Sequence, residues 1–196
     1  NYEALRHLGI LYQDLGEYEK AYNYFIQALK TDPKGFQALN NLATIHLRNK
    51  NYELAHKCLS NSFRINSNYV PTINNLAGYF HKIHDPKNAL YYSELSLSIQ
   101  PNNPLALNQY AKALIINNQV EKAIDLLTKL NKDFPDNDNF KYDLSTAYRE
   151  MGEFKKANKL TTDGFKKDYK NITYFLGYTK DKSNKLSEKH IKYYNQ

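Results

Sequence analysis

The chain has 196 residues, 41% of them apolar, and a formal net charge of +7. Its mean hydropathy is −0.75, polar enough to suit an elongated molecule with more surface per residue than a sphere. No stretch approaches the roughly 18 unbroken apolar residues of a membrane span, and the lone Cys58 rules out an internal disulfide. Eleven Lys against five acidic residues put +6 of the charge between Glu153 and Gln196, and the rest of the chain is nearly neutral. That imbalance argues against a nucleic-acid-binding stripe along the molecule. The chain opens on Asn1 rather than Met, directly in a helical pattern. This is read as a fragment or processed chain, with its compartment undetermined and the cytoplasm favoured.

A 34-residue period organises the sequence. One column reads Leu8, Leu42, Leu76, Tyr110, Leu144 and is followed by a small residue each time: Gly9, Ala43, Ala77, Ala111, Ser145. A second reads Ala21, Ala55, Ala89, Ala123, Ala157, and a third, Tyr12, His46, Phe80, Leu114, Tyr148, is large throughout. Small residues on two helices let their axes approach, and the large column fills the space beside the contact. Pro33, Pro101 and Pro135 close their copies because proline ends a helix. Gly16, Gly152 and Asn118 stand where a tight turn needs a left-handed residue, and Asp85-Pro86 supplies an N-cap and first helical residue. The pattern predicts five helix pairs, in copies 2–35, 36–69, 70–103, 104–137 and 138–169. First helices are expected near 2–14, 36–49, 70–83, 104–117 and 138–151, second helices near 18–31, 52–65, 86–99, 120–133 and 154–168. Leu130 and Gly164 replace a small Ala or Ser, and Lys141 replaces a large apolar residue, in the last two copies. Residues 170–196 leave the register, and Leu186, Ile191 and Tyr194 are expected to cap the last apolar face. The N-terminal copy shows no such cap, so further repeats are expected ahead of Tyr2.

These columns resemble the tetratricopeptide repeat over residues 2–169, most fully in "LRHLGILYQDLGEYEKAYNYFIQALKTDP" (5–33). The resemblance implies an all-α, right-handed superhelix whose first helices line the concave wall. On the first helix of the second copy, Leu39, Leu42 and Ala43 must face partner helices, which turns Asn40 and Asn41 toward the groove. The same reasoning selects Asn74 and Asn75, then Asn108 and Gln109, with Tyr142 and Asp143 in the fifth copy. An amide offers a donor and an acceptor, which is what a peptide main chain presents. The row resembles the asparagine ladder of the repeat region of O-linked N-acetylglucosamine transferases, and the carry-over is to Asn41, Asn75 and Gln109. The competing reading is compositional: Asn makes up 24 of the 196 residues, so amides reach a solvated face by drift.

The carboxylate clamp of chaperone-binding members of the family needs Lys, Asn and Arg on three successive copies; the corresponding places hold Arg6, Ile10, Asn41, Pro71 and Asn75, or one copy later Asn40, Thr44, Asn75, Leu105 and Gln109, so the clamp is not expected. Ile115 and Ile116 are read as a contact with the neighbouring repeat rather than a pocket, and Gly78 as a close-approach or packing position. His81 and His84 have a permitted metal spacing but no third ligand nearby, and Cys58 has no activating partner. No phosphate loop, dinucleotide fingerprint or nucleophile elbow is present, so neither a catalytic residue, a cofactor nor a metal is expected. The expected role is a scaffold that binds an extended segment of a protein partner. The alternative is the substrate-recruiting region of a longer glycosyl- or sulfotransferase, and a weaker third is adhesion of the Lys-rich end to an anionic surface.

Overall fold

A computed structural model describes the backbone of residues 1–167 and the side chains through Leu160. The expected cap, with Leu186, Ile191 and Tyr194, lies outside the described residues. Within them the chain is ten tandem helices and no strand. The first helices of the five copies are α1 (Tyr2–Asp14), α3 (Phe36–Arg48), α5 (Val70–Lys82), α7 (Pro104–Ile116) and α9 (Asp138–Glu150). The second helices are α2 (Tyr18–Thr31), α4 (Tyr52–Ile65), α6 (Pro86–Ile99), α8 (Val120–Asp133) and α10 (Phe154–Lys167). The ends fall within a residue of those expected from the period.

Local chemistry sets those ends. Asp85 caps α6 by accepting from the Asn88 amide, and Asn103 caps α7 by accepting from the amides of Leu105 and Ala106. Asn137 does the same for α9, and Pro86 and Pro104 occupy the first turns where no amide hydrogen is missed. The second helices α2, α6 and α8 stop on Asp32, Gln100 and Phe134, whose backbones have left the helical region, as suits a residue before proline. Between the helices of each pair, Gly16, Lys50, His84, Asn118 and Gly152 all take a left-handed conformation, with φ from 56° to 77°. Lys50 and His84 are therefore turn residues that composition did not reveal.

Packing follows the columns. In the first copy a Cβ at position 9 would overlap the Phe25 ring, so Gly9 is required there. In later copies Ala43 shares an apolar cluster with Leu59 and Ala111 with Leu127, so where glycine gives way to alanine the phenylalanine gives way to a smaller leucine. Each second helix lies against its own first helix and the first helix of the next copy. First helices also touch one another from copy to copy, most closely α5 and α7, whereas second helices show no comparable direct contact. Adjacent rows that differ in this way bend the stack, with first helices on the inside. At the junction of the last two copies Leu130 and Phe140 are both buried in one apolar cluster, where the second junction has Ser62 and Thr72. Lys141 lays its stem over the wall and reaches Asp138 with its ammonium at 3.4 Å.

The first copy differs at its outer face. Leu8 and Leu11 are 38% and 52% exposed, while Leu42 and Ile45 in the next copy are each 3% exposed. Those later positions are covered by the second helix of the copy before them.

Candidate functional site

The inner wall is built from the amide pairs, and the two members of a pair have different jobs. Asn40, Asn74 and Asn108 are buried, at 4%, 9% and 5% exposure, so little of each side chain meets solvent. The physical reason is that neighbouring first helices meet on this side, so the first amide of each pair falls inside the joint. Asn40 Oδ1 accepts from Thr72 Oγ1 at 3.2 Å and from Asn75 Nδ2 at 2.9 Å, both in the next copy. Ser62 extends the chain with a 2.6 Å contact to the Thr72 hydroxyl. Asn74 Oδ1 instead accepts from Ser96 at 2.6 Å within its own copy. Asn108 Nδ2 donates to Asp143 Oδ2 at 2.8 Å, and Lys112 Nζ lies 3.3 Å from the same oxygen. Buried polar groups must be paired in this way or cost about 1–3 kcal/mol each.

Asn41, Asn75 and Gln109, at equivalent positions of α3, α5 and α7, are half-buried. Asn41 Oδ1 accepts from Asn40 at 3.4 Å, and Asn75 spends its Nδ2 on Asn40, so both are braced from behind. Gln109 differs. Its Oε1 is buried without a hydrogen-bond partner among the described residues, close beside Gly78. A Cβ on Gly78 would meet the Gln109 side chain at 3.5 Å, ordinary contact, so packing does not demand glycine there. Tyr142 is 46% exposed, Leu105 is still more exposed, and Asp143 is buried in the joint just described. At the leading ends of α5 and α7 an open hollow of about 260 Å³ is lined by Val70, Pro71, Asn74, Asn75 and Leu105.

His81 shares this wall. Burial, and after it the Lys112 cation, push its pKa down to about 4 against the opposing pull of Asp143, so its ring is neutral at pH 7. The cluster of His81, Lys112 and Asp143, drawn from three copies, was not visible in the sequence. The signal available was polar residues recurring in core columns, as in Ser62 and Ser96 or Thr72. Ile115 packs against the apolar cluster of the fourth and fifth copies. Cys58 is half-buried, and burial raises its thiol pKa, which leaves it a packing residue. No helix among the described residues is long and apolar enough to cross a membrane.

Comparison with known proteins agrees with this architecture. Models of the tetratricopeptide repeat family match residues 7–56 and 92–125. Anaphase-promoting complex subunit 3 of Schizosaccharomyces pombe is 25% identical over 135 residues, which are 69% of this chain and only 20% of that protein. A thermophilic tetratricopeptide repeat protein of Thermus thermophilus superposes with a TM-score of 0.78 at 18% identity, covering 91% of this chain and 97% of its own. The APC/C hetero-tetramer Cut9-Hcn1 gives a TM-score of 0.76 at 16% identity, covering 86% of this chain and 34% of the matched one. YrrB, described as having an unusual peptide-binding site, gives 0.58 at 17% identity over 86% of this chain and 87% of its own. With ten tandem helices in five copies among the described residues, small and large columns in register, and family matches over residues 7–56 and 92–125, the array is one of tetratricopeptide repeats.

Proposed function

We propose that the concave wall holds an extended segment of another protein, main chain on the amide row and side chains in the gaps between first helices. The observation that supports this is the row Asn41, Asn75, Gln109, one amide per first helix, beside a hollow edged by Pro71 and Leu105. Neighbouring helices pack about 9–10 Å apart, and an extended strand rises about 3.3 Å per residue, so one rung serves every third ligand residue. Each net hydrogen bond contributes about 0.5–1.5 kcal/mol, so three rungs give roughly 1.5–4.5. Micromolar binding needs about 8 kcal/mol, and the remainder must come from apolar side chains seated near Leu105 and Tyr142. Two of the named proteins, anaphase-promoting complex subunit 3 and Cut9-Hcn1, are parts of assemblies, which favours a scaffold over the substrate-recruiting arm of a transferase.

The test is made on a peptide selected from a random display library against the chain, with affinity read by fluorescence anisotropy. Asn41→Ala with Gln109→Ala should weaken binding at least tenfold and lower stability by no more than about 1 kcal/mol, since Asn41 Oδ1 is a long, 3.4 Å acceptor for Asn40 Nδ2. Asn75→Ala belongs in a separate arm, because it also removes a donor from buried Asn40 and should lower stability by about 1 kcal/mol. Parent-like affinity in the double variant would show that the amides are surface composition.

A further inference from the structure

A second hollow, of about 390 Å³, opens away from the amide row between α2, the end of α3 and the start of α4. Tyr18 and Tyr22 of α2, Ile45 and His46 of α3, and Leu54 of α4 line it, with the polar Glu19, Asn49 and Asn51 beside them. His46 lies about 140° round α3 from Asn41 at 100° per residue, so this is not the groove. Tyr22 and Leu54 are 36% and 47% exposed, and together they form apolar walls open to solvent.

The period shows what such a space accommodates. Thirty-four residues on, the counterparts of Ile45, His46 and Tyr22 are Tyr79, Phe80 and His56. There the Tyr79 ring stacks on His56 with centroids 5.1 Å apart, and Phe80 meets both edge-on. At the third junction Ala113 is small, but Asn117 Nδ2 closes the gap by donating to Pro86 O at 3.0 Å. The first junction has neither device: Ile45 is shorter than tyrosine, and Asn49, the counterpart of Asn117, makes no such bond.

His46 adds a polar group. It is 8% exposed, its ring meets Tyr22 edge-on at 5.8 Å, and its nitrogens make no hydrogen bond among the described residues. Burial lowers its pKa, so at pH 7 the neutral ring of this lining residue has one donor and one acceptor. A ligand for this place needs a flat apolar body and one hydroxyl at its tip.

We propose that the hollow is a socket for one tyrosine side chain of a partner protein, its ring between Tyr22 and Leu54 and its hydroxyl on the His46 imidazole. The architecture supplies one such residue in cis in the second copy, and leaves the first copy to receive it in trans. This site is independent of the groove, so its test does not touch the amides.

The probe is p-cresol, the tyrosine side chain itself, compared with toluene, which has the same ring and methyl but no hydroxyl. Both are titrated while the NMR signals of the His46 ring and the Leu54 methyls are followed. Saturable shifts with a millimolar dissociation constant are expected for p-cresol, with toluene about fivefold weaker from the loss of one hydrogen bond. His46→Phe, which copies Phe80, should erase that preference. Ile45→Tyr, which copies Tyr79, should weaken p-cresol at least tenfold; Leu54→Glu, on the exposed rim, should do the same if Ile45→Tyr disturbs folding. Absence of a saturable shift, equal binding of toluene, or parent-like binding by a folded Ile45→Tyr or Leu54→Glu variant would overturn the proposal.

Discussion

His81 stands where groups from three copies converge: its own Lys82 and His84, Lys112 of the fourth copy and Asp143 of the fifth. Its native pKa of about 4 lies below the ordinary 6.5, so the folded chain binds fewer protons than the unfolded chain between those values. The stability tied to the neutral ring is complete above pH 6.5 and is lost as pH falls toward 4. A gap of this size sets a ceiling of about 3 kcal/mol at roughly 1.4 per unit. Urea midpoints should therefore fall between pH 7 and pH 4.5 in the parent and fall less in His81→Gln. Because burial also lowers His46, a residual slope in the variant is expected, and equal slopes in the two proteins would refute the assignment. The sequence displayed the amides but not which member of each pair would be buried. Asn40 and Asn41 are about 100° apart on one turn, and the choice is made by Thr72 and Asn75 arriving from the next copy.

For the helix pair, the turn decides more than the helices do. All five inter-helix turns put one residue in the left-handed region, and glycine fills it in the first and last copies alone. That conformation costs an ordinary residue roughly 1–2 kcal/mol, part of which is offset by glycine's greater freedom in the unfolded chain. Lys50→Gly, at an exposed position with φ of 59°, should gain about 0.5–1 kcal/mol. That is a rise of roughly 1–4 °C in melting temperature for a chain of this size. His84→Gly should behave alike, and a lower melting temperature in both would mean that the turn does not limit stability. Helix ends were legible because prolines, caps and the strict 34-residue spacing all mark them. Lys50 and His84 were not, because no local preference marks them: the fixed length of the turn imposes the conformation from outside.

In a stack where each copy touches only its neighbours, stability is close to a sum of single-copy terms and junction terms. Junctions are not equal here. The second one, between α3–α4 and α5–α6, combines the Ser62–Thr72–Asn40–Asn75 hydrogen bonds with the rings of His56, Tyr79 and Phe80, and Phe80 stacks on Tyr92. The first copy has one junction and an open outer face at Leu8 and Leu11. The period alone announced the stack, since identical columns imply identical contacts. Unequal junctions could not be read from it, because they depend on which polar side chains find partners about 35 residues away. Native-state hydrogen exchange should find the slowest amides in α4, α5 and α6, with α1 exchanging faster by local opening. Thr72→Ala tests the coupling directly. It takes one donor from Asn40 and one partner from Ser62 without exposing apolar surface, at a cost of about 1–3 kcal/mol. If the junction transmits stability, protection in α1 to α4 should drop together while α7 and α8 keep theirs. A loss confined to α5, or protection that was greatest in α1 from the start, would mean that the copies are held by their own helix pairs and that the buried amides only set their spacing.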